Sequence, residues 1–140
     1  MNILLAVDGS PYTQKMLTYL TSESGLLGKG HSYSVITVQP PLPARARAAL
    51  GKDAVDEYYA EESTKVLEPA CAFLAEHGVQ PQRLSKVGPI ADSIIEAANA
   101  GKFELIVMGT HGHGALGRLV MGSVSSQVLA GCQVPVLLVR

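Results

Sequence analysis

Gly109-Thr110-His111-Gly112-His113-Gly114-Ala115-Leu116-Gly117-Arg118-Leu119-Val120-Met121-Gly122-Ser123 follows directly on the apolar run Leu105-Ile106-Val107-Met108 and leads into Val124, Val128 and Leu129 at helical spacing. A run of four residues apolar on both faces reads as a buried strand, and a buried strand that passes through glycines into a helix is the unit of a parallel sheet. Glycines at such a junction permit a tight turn and let a ligand approach the backbone. Gly122-Ser123 then opens a helix whose first N–H groups lack partners, so the junction can hold an anion from two sides. A Gly-rich connection with no ligand is the alternative on these grounds alone.

The same strand-then-helix unit recurs outward from this stretch. Residues 2–7, 33–38, 83–87, 105–108 and 134–139 read as strands, and four segments between them have helical period. The first helix is expected to start at Ser10, as cap, or Pro11, to present Met16, Leu17 and Leu20, and to stop within 28–30. The second covers 53–77, with Val55, Tyr59, Val66, Ala70, Phe73 and Leu74 on one face and a kink at Pro69. The third opens at Pro89 and carries Ile90, Ile94, Ile95 and Ala98 to Gly101, and the fourth carries Val124, Val128 and Leu129. Alternation of this kind predicts an α/β fold: one domain over residues 1–140, an open five-stranded parallel sheet with helices on both faces.

Strands one and four are apolar on both faces and belong in the middle, whereas Arg83-Leu84-Ser85-Lys86-Val87 alternates as an edge does. The order 3-2-1-4-5 satisfies this with right-handed crossovers and puts the reversal of direction between strands one and four. Ligands bind at that crevice, here between Asp8-Gly9-Ser10 and the glycines after Met108. Strand five is the other edge. Pro135 suits an edge, yet Val134, Val136, Leu137, Leu138 and Val139 are apolar on both faces, which implies that a second copy covers it unless a helix or loop of the same chain does. Residues 39–52, with Pro40, Pro41, Pro43, Arg45, Arg47 and Gly51, lack periodicity and read as a loop, either a lid over the crevice or a plain surface connection.

Composition narrows the function. In 140 residues, 47% are hydrophobic and 16% charged, enough apolar surface for one core. Lys plus Arg number 11 against 12 acidic residues, a net charge of -1 with no basic run, so nucleic acid is not expected as a partner. No apolar run approaches the roughly 20 residues of a membrane span, and no secretory signal precedes Ile3, which points to the cytoplasm. Cys71 and Cys132 lack metal-ligand spacing and read as reduced, buried thiols.

The pattern Gly109-x-x-Gly112, nine residues, then Gly122-Ser123 resembles the glycine motif of ATP-binding universal stress proteins. The likeness runs the length of the chain: a first strand into Asp8-Gly9-Ser10, a valine near the end of strand two, and a closing Val134-Pro135-Val136 strand. It implies an adenine nucleotide, ATP with Mg2+ carried on its phosphates, held by Asp8, Val38, Met108, Gly109, His111, Gly112, Gly122, Ser123, Val124 and Ser125, with the Val38 backbone at the adenine. It further implies a homodimer through 134–139.

An engine for fast hydrolysis is not evident. Gly28-Lys29-Gly30 and Gly51-Lys52-Asp53 lack the rest of a phosphate loop, Asp8 has no second acid or base beside it, and no Gly-x-Ser-x-Gly elbow occurs. Receiver and flavodoxin-like readings fail on the strand ends Val87-Gly88 and Val139-Arg140 and on the sequence Asp8-Gly9-Ser10-Pro11. His111 and His113 are too few to hold a metal by themselves, and Arg118 is either a phosphate clamp or a solvated residue. The expected function is a dimeric, nucleotide-responsive stress or signalling module; a slow ATPase and a nucleotide-free scaffold are the alternatives.

Overall fold

Strand β1 (Asn2–Ala6) runs into helix α1 (Pro11–Ser22), and the chain continues through β2 (Ser32–Gln39), α2 (Ala44–Leu50), α3 (Lys52–Glu76), β3 (Gln82–Val87), α4 (Ile90–Ala100), β4 (Leu105–Gly109), α5 (Ser123–Gly131) and β5 (Val136–Val139). The computed structural model describes residues 1–22, 30–111 and 121–140. Its five strands form one parallel sheet in the order β3-β2-β1-β4-β5, the predicted order.

Side-chain alternation in β1 divides the core. Ile3, Leu5 and Val7 pack with Met16, Leu17 and Leu20 of α1 and Leu67, Ala70, Cys71 and Leu74 of α3 on one face. Leu4 faces the other way, with Ile106 and Met108 of β4, Ile94 and Ala98 of α4 and Val128 of α5. Leu4, Leu5, Val35, Ile36, Ile106 and Val107 are all at most 1% exposed, as central strands covered on both faces require.

Several expectations are corrected. Residues 39–52 are not a loop: β2 extends to Gln39, Ala44–Leu50 is helical and α3 begins at Lys52. Helix α2 buries none of its residues, so no apolar period marks it; alanine, arginine and leucine form it by propensity, with Pro43 just before it and Gly51 at φ 84° after it. In α3, Leu67 and Cys71 join the buried face, while Tyr59 is half-buried and its hydroxyl accepts from the Leu42 N–H at 2.9 Å. The helix runs through Pro69, an exposed position where the carbonyl left without a donor can be hydrated.

Leu129 is 50% exposed rather than packed, because α5 buries only the stripe of Ser125 and Val128. Cys132 lies beyond the last turn of α5 and is half-buried; Cys71 is buried, and burial pushes its thiol up from the ordinary value against the opposing pull of Arg83. Residues 28 and 29 of the expected first-helix stop lie outside the described residues. Strand β5 begins at Val136, with the Pro135 carbonyl already accepting from the Ile106 N–H at 2.9 Å, so the missing proline donor is not needed on that side. Leu137 packs into the α1–α3 layer, and Val134, Val136 and Leu138 into the α4–α5 layer, so the chain itself covers part of both faces of this strand.

Candidate functional site

At the carboxyl end of β1 the chain must turn sharply into α1, and Gly9 does so with φ 78°. The Asp8 carboxylate is built into that turn: its Oδ1 accepts from the Ser10 N–H at 2.9 Å and from the Thr13 hydroxyl at 2.8 Å, while Thr13 Oγ1 accepts from the Asp8 N–H at 3.0 Å. These bonds hold Asp8 at the mouth of the crevice. Ser10 was expected to cap the helix by its side chain; the side-chain oxygen in the turn is that of Asp8, and the buried Ser10 Oγ has no partner among the described residues.

Strand β2 outruns β1. The β1–β2 ladder reaches Ala6 opposite Ile36, where the Val7 N–H donates to the Ile36 carbonyl. Gln39 accepts from Gly88 on the β3 side, so strand alternation directs the Val38 N–H and C=O toward the β1 side, past the end of that strand. A flat ligand edge above Asp8 would meet one donor and one acceptor there. The Val38 side chain packs into the α4–α5 layer, as does that of Met108.

The two halves of the glycine motif are pinned together. The Gly122 N–H donates to the Thr110 carbonyl at 2.7 Å, and the buried Ser125 hydroxyl reaches the Gly109 and Thr110 carbonyls at 3.0 and 2.8 Å. Thr110 is fixed from behind by its own N–H, which donates to Val139 at 2.9 Å. Among the described residues no side chain caps α5 after Gly122, so the N–H groups of its first turn, from Ser123 and Val124, face no described partner, with Ser123 itself exposed. Ser125 serves the site through this joint. Ser125→Ala should take the hydroxyl from the Gly109 carbonyl and leave Thr110 only the Gly122 N–H, lowering stability by about 1–2 kcal/mol, read as a fall of about 5 °C in melting temperature; an unchanged melting curve would show that the joint holds without it.

Gly109 has a packing reason of its own. A Cβ there would stand 2.8 Å from Tyr12 Cβ and 3.1 Å from the Tyr12 carbonyl oxygen, so α1 can lie against β4 only because this residue is glycine. The Tyr12 ring is 4.8 Å from that of half-buried His111, whose Nδ1 is 2.9 Å from Thr110 Oγ1, and Lys15 Nζ stands 4.9 Å from the centre of the Tyr12 ring. Gly112, His113 and Arg118 lie outside the described residues. Asp8, Val38, Met108, Gly109, His111, Gly122, Ser123, Val124 and Ser125 thus fall at or beside the carboxyl ends of β1, β2 and β4.

Sequence reading missed Tyr12, Thr13 and Lys15. An Asx turn was legible for Thr13, since an Asp followed by Gly and Ser-Pro is a helix-start signature; no local pattern marks the other two. A separate cavity of ≈ 400 Å³ lies between α2 and the start of α3, lined by Ala44, Arg47, Ala48, Lys52 and Val55, none of them an expected site residue. Among the described residues no three His, Cys, Asp or Glu side chains gather to hold a metal, and no helix is long and apolar enough to cross a membrane.

The family model described as the universal stress protein family matches residues 1–140. A universal stress protein of Thermus aquaticus is 35% identical over 139 residues, covering 99% of this chain and 97% of the relative. Universal stress protein UspA from Lactobacillus plantarum superimposes with a TM-score of 0.80 at 20% identity, over 100% of this chain and 97% of its own. The universal stress protein from Archaeoglobus fulgidus, solved in complex with dAMP, gives a TM-score of 0.66 at 24% identity over 100% and 98%.

Proposed function

Since the chain belongs to the universal stress protein family, we propose that it binds an adenine nucleotide, ATP with Mg2+, in the crevice between β1 and β4 and acts as a nucleotide-responsive stress or signalling module in the cytoplasm. One observation carries the reading: Gly122 and Ser125 are bonded to the end of β4, so the uncapped start of α5 stands fixed at the end of that strand. The overrunning Val38 backbone offers the donor–acceptor pair that an adenine edge complements, Asp8 lies between, and the first turn of α5 takes the phosphates. The dAMP held by the Archaeoglobus fulgidus protein supports this choice of base. With no metal cage among the described residues, Mg2+ would ride on phosphate oxygens and offset their charge.

Calorimetric titration of nucleotide-free protein with ATP and Mg2+ tests the reading: saturable binding supports it, and no heat from demonstrably empty protein would sink it. Hydrogen exchange of residues 39–52 in the same samples tests whether α2 and its flanks respond to nucleotide; identical protection with and without ATP would remove the signalling part.

The chain is further proposed to pair through β5. That strand ends the sheet, with half-buried Val136, Leu137 and Leu138 and, nearby in sequence, the exposed Leu129. Sedimentation equilibrium should give twice the 14.7 kDa chain mass; a monomer across the micromolar range would leave the edge to some other cover.

A further inference from the structure

Among the described residues, the groups that the start of α5 turns toward a phosphate chain are its first N–H groups and the Ser123 hydroxyl, all neutral, and Asp8 adds a negative charge. A triphosphate carries more charge than such a set can answer, and a charge-assisted contact from a cation is the usual complement. Lys15 is placed to supply one. It lies one turn after Tyr12 on the same side of α1, and its ammonium stands 4.9 Å from the Tyr12 ring centre.

That ring is not a passive surface. Its Cβ lies against Gly109 and its ring centre is 4.8 Å from that of His111, so Tyr12 carries Lys15 to the turn that ends β4. Lys15 is exposed and forms no ion pair with a described carboxylate. The ring is half-buried but the ammonium on it is exposed, so water competes for the charge and holds it weakly enough to move to a phosphate.

Resting on the nucleotide reading above, we propose that Lys15 is a specificity-determining residue of this site: it leaves the Tyr12 ring to contact the outer phosphates of a nucleoside triphosphate, so that the site ranks ATP above AMP. The α-phosphate, at the start of α5, is served without it. Lys15 thereby gives the positive charge for which the chain has no Walker lysine.

Titration of the wild type, Lys15→Gln and Lys15→Arg with ATP and with AMP, each with Mg2+, decides the matter, with melting curves confirming that the exposed substitutions leave the fold alone. The wild type should bind ATP about tenfold more tightly than AMP. Lys15→Gln should lose about tenfold toward ATP while AMP affinity stays within about twofold, and Lys15→Arg should recover most of the loss. Equal affinity of the wild type for ATP and AMP, or a Lys15→Gln effect that is the same for both, overturns the role of Lys15 and leaves nucleotide binding standing. A wild type that binds neither overturns the nucleotide reading and this inference together.

Discussion

Gly122→Val is expected to lose at least about a hundredfold in ATP affinity while its melting temperature stays within about 3 °C of the wild type. The two halves of that outcome have separate causes. Gly122 has φ -75° and ψ 166°, an extended conformation that valine adopts readily, and valine keeps the N–H that bonds the Thr110 carbonyl at 2.7 Å. The residue is half-buried and precedes the helix, so the change touches none of the buried core. What changes is the approach to the first turn of α5, where two methyl groups would stand before the N–H groups proposed to take phosphate. Titration and a melting curve on one preparation check both halves, and wild-type affinity in a folded variant would mean that phosphate does not come to this helix start.

Gly109→Val should behave in the opposite way. The new Cβ would stand 2.8 Å from Tyr12 Cβ, 3.1 Å from the Tyr12 carbonyl oxygen and 3.3 Å from that of His111, and two of these three atoms are backbone, which cannot rotate aside. Either α1 shifts away from β4 or the strand end bends, at a cost of about 3 kcal/mol, seen as a fall of about 10 °C in melting temperature. Thermal unfolding of the apo protein measures it without any ligand. A melting curve like that of the wild type would show that the start of α1 yields easily and that Gly109 is free of the packing demand assigned to it. The two glycines of one motif thus divide the labour: Gly109 lets two elements of the chain meet, and Gly122 leaves a helix start open.

The strand order was legible because burial on two faces leaves a mark in composition: Ile3 to Val7 and Leu105 to Met108 carry no polar residue, whereas β3 mixes Arg83, Ser85 and Lys86 with Leu84 and Val87 and buries none of them fully. Helix α2 was illegible for the complementary reason, since a helix that buries nothing has no apolar period and only the propensity of its alanines and arginines declares it. At the crevice, the residues singled out by the glycine spacing that are described stand at the ends of β4 and α5. Sequence could not tell that Ser125 turns its hydroxyl back onto Gly109 and Thr110, or that Tyr12 meets residues nearly a hundred positions away, because such contacts exist only once α1, β4 and α5 are assembled. The exposed Leu129 was misjudged because α5 covers one narrow stripe at the end of the sheet.

The bond from the Gly122 N–H to the Thr110 carbonyl also fixes how this site can diversify. Together with the Ser125 hydroxyl on the Gly109 and Thr110 carbonyls, it fastens the start of α5 to the end of β4, and the Thr110 N–H is held in turn by Val139 of β5. Variation that keeps these fastenings leaves the helix start where it stands, whereas loss of the Ser125 hydroxyl, or a shift of the β5 edge that holds Thr110, is felt there at once.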